Sequence, residues 1–110
     1  MDNKISITRD SAELLLLQEL YCKKYPNYND DFTSVLPELL QLKEEDIFPI
    51  YIKIFDMQYV SQLKELSEFQ KLLASKFITL KERQNEIILT IETSGIKFLK
   101  TVQADCPSHQ

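Results

Sequence analysis

Residues 66–99 read LSEFQKLLASKFITLKERQNEIILTIETSGIKFL, and along them the hydrophobic period changes from helical to extended and back to helical. Val60, Leu63, Leu66, Phe69, Leu73 and Phe77 recur every three or four positions with Lys64, Glu65, Glu68 and Lys71 between them, which predicts one continuous amphipathic helix over 60–75. The period then falls to two. FITL (77–80), the polar KERQNE (81–86) and IILTI (87–91) read as two strands joined by a hairpin loop, with Ile87, Leu89 and Ile91 on one face. Thr93 or Ser94 can cap a closing helix that turns Ile96, Leu99 and Val102 inward.

Upstream the pattern is helical. Asp10 and Ser11 ahead of Glu13 resemble a helix N-terminus, and Leu14, Leu17, Tyr21 and Tyr25 carry a first helix to about Tyr25. The unbroken leucine run 14–17 makes this helix apolar around much of its circumference, which predicts a central position or a contact with a second copy of the chain. PNYNDD (26–31) ends it. Asp31 or Thr33 caps a second helix with Val35, Leu36, Leu39, Leu40 and Leu42, running to near Lys43, with Pro37 close to its start. Asp46 as N-cap would then open a third, with Pro49 at a position whose N–H has no intrahelical acceptor. Ile47, Ile50, Tyr51, Ile54 and Phe55 keep the helical spacing, although IYIKIF (50–55) is β-branched enough to form a buried strand instead, and helix is the reading the spacing favours. The expectation is a mostly helical α+β domain over residues 1–103, with about four helices, a two-stranded hairpin and a C-terminal helix, followed by a tail over 104–110.

Composition narrows the chemistry. A length of 110 residues accommodates one core, and 44% apolar with 27% charged residues is a globular balance. Gly95 is the single glycine, which excludes a Walker loop or a dinucleotide fingerprint. The polar N-terminus lacks a signal-peptide core and no apolar run is long enough to span a membrane, so a cytoplasmic protein is expected. Cys22 and Cys106 are far apart without ligand-spaced partners, and the one histidine, His109, lies next to the C-terminal residue. Glu44, Glu45 and Asp46 lead straight toward a helix rather than around a cation. No catalytic residue, metal site or cofactor is therefore expected.

Charge is uneven. Residues 1–60 hold six basic and eleven acidic side chains, a balance of −5, whereas 61–103 hold seven basic and five acidic, a balance of +2. Phosphate neutralisation supplies most of the affinity of nucleic-acid binders, so only the second half suits DNA. Most of the five tyrosines and six phenylalanines fall on inward stripes. Tyr21, Tyr25 and Tyr28, beside Lys23 and Lys24, instead suggest a partner surface.

Residues 66–99 resemble the C-terminal half of a winged-helix domain of small bacterial regulators. In that family a helix ends in a phrase of the form L-x-x-x-G-x-I, a charged wing joins two strands, and L-T-x-x-G-x-x-F/Y-L opens the last helix. LASKFI (73–78) occupies the first phrase, with Lys76 at the glycine position, and IETSGIKFL (91–99) occupies the last, with Glu92 in place of threonine. The resemblance implies a dimeric transcriptional regulator that places Lys64 and Lys71 of the helix, and Lys81 and Arg83 of the wing, against double-stranded DNA. The alternative is a protein-interaction module that binds a protein partner through its acidic N-terminal half.

Overall fold

The fold was analysed in a computed structural model that describes residues 12–25 and 31–105. The leucine run 14–17 sets the first element. Helix α1 (Ala12–Cys22) buries Leu14, Leu16, Leu17, Leu20 and Tyr21, and of its leucines only Leu15, 62% exposed, turns to the outside. The run is core, which is the central position that its apolar circumference predicted. Helix α2 (Phe32–Gln41) starts at Asp31, whose carboxylate accepts the Thr33 N–H at 3.1 Å and the Ser34 hydroxyl at 2.9 Å. It packs through Val35 and Leu39. Pro37 is its sixth residue and deprives the Thr33 carbonyl of the usual i+4 donor. The expected cap at Asp10 and Ser11, and most of the break after the first helix, lie outside the described residues.

Two readings of the sequence are corrected here. Residues 47–55 are not a helix: Glu44–Asp46 forms a 3-10 turn, and strand β1 (Ile50–Ile54) follows. Asp46 closes that turn by donating its N–H to the Lys43 carbonyl, so it caps nothing. Pro49 disfavours helical backbone at Phe48, and the β-branched run beyond it then settles into a sheet. Residues 60–75 are not one helix but two, α3 (Met57–Lys64) and α4 (Ser67–Ala74), separated by Glu65 and Leu66. Leu66 is extended, with ψ 131°, and half-exposed. Leu63 and Phe69, on either side, are both buried. The apolar spacing survives the break because both helices face the same core, so periodicity alone conceals the turn.

Strands β2 (Ile78–Glu82) and β3 (Ile87–Ile91) form the expected hairpin, and helix α5 (Thr93–Asp105) closes the chain, reaching two residues into the predicted tail. The sheet has a third strand that the hairpin reading did not contain. All pairings are antiparallel in the order β1-β3-β2. Ile50, Ile91 and Ile78 share one register row, and Lys53, Ile88 and Lys81 another. Among the described residues the architecture is α+β, with five α-helices and one three-stranded sheet. Ile54, Ile78, Leu89 and Ile91 press the inner sheet face onto Leu17, Leu20, Leu39, Phe69, Leu72 and Leu99. Tyr51, Lys53, Thr79 and Lys81 point the other way and are exposed. No helix among the described residues is long and apolar enough to cross a membrane.

Candidate nucleic-acid interface

The Asp56 carboxylate caps α3 by accepting the N–H groups of Gln58 at 3.0 Å and Tyr59 at 3.2 Å. After eight residues the helix ends, and Gln70 Nε2 donates to the Lys64 carbonyl at 2.8 Å, stapling α4 back onto the end of α3. The two-residue turn therefore has a fixed angle. Helix α4 buries Phe69 and Leu72 and exposes Ser67, Gln70, Lys71 and Ala74, one face at i, i+3, i+4 and i+7.

The C-terminus of α4 is a Schellman turn: Lys76 N–H donates to the Leu73 carbonyl and Phe77 N–H to the Leu72 carbonyl, at 3.0 and 3.1 Å. Lys76 sits in the left-handed region with φ 64°, the conformation that favours glycine. The Lys76 carbonyl accepts the Ser94 hydroxyl at 2.9 Å, and the Phe77 carbonyl accepts the Glu92 N–H at 2.9 Å. The Phe77 and Phe98 rings stack with centroids 4.9 Å apart. A Cβ on Gly95 would lie 2.5 Å from the Phe77 carbonyl oxygen, so the α4 end and the α5 start meet at a distance only glycine permits. This joint fixes where the β2–β3 wing leaves the helices.

The wing places Lys81, Arg83, Gln84 and Asn85 in solvent, and Arg83 N–H closes its tip on the Glu86 carbonyl at 2.9 Å. Lys64 Nζ reaches Glu82 Oε2 at 2.8 Å, which ties the turn between α3 and α4 to the wing. Lys71 Nζ lies 3.2 Å from the buried Glu13 carboxylate of α1. Of the four cations singled out from the sequence, Lys64 and Lys71 are thus engaged with acidic groups, while Lys81 and Arg83 are exposed at the wing. Two cations were missed. Lys53 shares the outer sheet face with Lys81, invisible while 47–55 reads as a helix, and Lys76 is exposed at the end of α4. A groove of about 370 Å³ on that outer face is lined by Tyr51, Thr79, Leu80, Lys81, Arg83, Ile88, Thr90 and the acidic Glu92.

Of the three tyrosines expected at a partner surface, two are among the described residues. Tyr21 is fully buried, its ring against Tyr25 and edge-on to Phe32, because its helical position faces the α2 contact. Burial pushes its phenol above the ordinary value. Tyr25 is half-buried and donates its hydroxyl to Glu38; burial first, and this bond second, raise its phenol far above the usual range. Tyr28 lies outside the described residues. Lys23 and Lys24 rest over tyrosine rings, Lys23 Nζ 5.0 Å from the Tyr59 centroid and Lys24 Nζ 5.0 Å from that of Tyr25. Among the described residues no group of three or more His, Cys, Asp or Glu side chains is placed to hold a metal ion. Cys22 is buried, and Cys106 and His109 lie outside the described residues.

Comparison with protein-family models, with curated proteins and with solved structures gave no match.

Proposed function

We propose that the chain is a small winged-helix DNA-binding protein, a transcriptional regulator that presents α4 to the major groove and the β2–β3 wing to the adjacent backbone. One observation carries this reading: a short helix, a two-residue turn, a second short helix and an immediate hairpin follow one another, with the outward positions of α4 polar and small. That succession is what a helix-turn-helix needs, since a recognition helix must present one face uncovered by the core. Ser67 and Gln70 supply donors and acceptors for base edges, and Lys81 and Arg83 supply charge for the phosphate backbone.

Fluorescence polarisation of a labelled random duplex tests the reading. Binding is expected to be weak at low salt and to fall steeply as salt rises, and Lys81→Ala with Arg83→Ala should reduce the log–log salt slope by about 1.8, two phosphate contacts at roughly 0.9 each. No binding at low salt overturns it. A second reading, a protein-interaction module, is favoured by the exposed acidic turn Glu44–Asp46 beside Phe48, which is 68% exposed. It predicts that Lys81→Ala and Arg83→Ala leave function intact while Phe48→Ser abolishes it.

A further inference from the structure

We propose that β1 is a self-association edge, through which two copies of the chain pair antiparallel about Ile52 to form one continuous six-stranded sheet. The order β1-β3-β2 leaves one side of β1 without a partner strand among the described residues. Proteins usually guard such an edge with charge, proline, a bulge or a covering segment, because its free N–H and C=O groups template another strand. Here the guard is thin. Pro49 precedes the strand, the pairing with β3 runs without a bulge from Ile50 to Ile54, and Lys53 is the only charge in IYIKI. Phe48, Tyr51 and Phe55, at 68–69% exposure, are the most exposed large apolar side chains among the described residues, and all three lie in or beside this strand.

The occupant is a second copy because the strand complements itself. Residues opposite each other in an antiparallel pair point to the same face, so a twofold axis must relate positions of like parity. A twofold through Ile52 sets Ile50 against the partner's Ile54, continuing the apolar inner face. On the outer face it sets Tyr51 against the partner's Lys53, twice by symmetry, an aromatic–cation pair. One step further it sets Phe55 against the partner's Pro49. A twofold through Lys53 would instead oppose two lysines, and an odd offset would turn the isoleucines outward. The pairing also relates two α3–α4 units by a twofold, as an isologous dimer must, yet it does not depend on DNA binding.

The test is sedimentation equilibrium of the full chain over a wide concentration range, with hydrogen exchange of the β1 amides. The wild-type chain should show a reversible monomer–dimer transition and concentration-dependent protection in β1. Tyr51→Lys, at an exposed position that leaves the core untouched, sets two lysines against each other in each symmetric pair and should weaken the dimer at least about tenfold. Adding Lys53→Glu to that variant restores opposite charges across the pair and should recover the dimer. A chain that stays monomeric at every concentration overturns the proposal, with or without protected β1 amides. So does a dimer indifferent to Tyr51→Lys, or a double variant that fails to recover it.

Discussion

Lys76 and Gly95 face each other across the joint between α4 and α5, and each holds a conformation or clearance that glycine suits best. At Lys76 the backbone is left-handed, which costs a residue with a Cβ roughly 1–2 kcal/mol, and the side chain itself is exposed. Lys76→Gly should therefore stabilise the fold by about 1 kcal/mol, part of the relief being lost to the freer unfolded chain. Urea denaturation measures this. Gly95 is the opposite case, since an added methyl meets backbone oxygen that has no room to retreat. Gly95→Ala should cost about 1–3 kcal/mol, read as a lower midpoint in a thermal melt followed by circular dichroism. Both positions were marked in the sequence by the two phrases LASKFI and IETSGIKFL, whose family pattern places glycine at each. The phrases could not say that Gly95 packs against the Phe77 backbone beside Lys76, because that contact closes only once the intervening hairpin has folded.

At the scale of elements, the hairpin, α2 and the closing helix were legible because each couples a clear period to a local stop or start signal. β1 was not. IYIKIF satisfies a helical spacing and a β-branched composition together, and what decides between them is the restraint of Pro49 on Phe48, a local clue that the spacing outweighed, together with the available place beside β3, a tertiary fact. The α3–α4 break was hidden for a related reason: Leu63 and Phe69 reach one core from two helices, so the apolar rhythm runs through the turn. The local clue was present in Asp56, whose carboxylate opens α3 three residues before the helix that periodicity predicted. Asp56→Ala removes that cap and should cost about 1 kcal/mol, with Asp56→Ser retaining most of it. Equilibrium unfolding distinguishes the two substitutions. Of the candidate site, Arg83 was legible as a loop residue, whereas Lys81, read as the start of that loop, lies within β2, and the engagement of Lys64 with Glu82 and of Lys71 with Glu13 required the fold.

At the scale of the whole molecule, the charge asymmetry of the sequence becomes a difference between surfaces. Three acidic residues of the first half, Glu44, Glu45 and Asp46, stand together in the turn before β1, and the wing and outer sheet face carry Lys53, Lys81 and Arg83. A duplex approaching the α4 and wing side meets two exposed wing cations and a neutral polar helix face, which suits modest, salt-sensitive binding rather than tight non-specific coating. The most direct test is a titration of the isotopically labelled chain with duplex DNA at low salt, followed by amide chemical shifts. The expected result is a set of perturbations confined to residues 67–76 and 81–86, weakened by Lys81→Ala with Arg83→Ala. Absence of shifts, or shifts centred on residues 44–55 with the α4 face unchanged, would contradict the assignment of this surface to DNA.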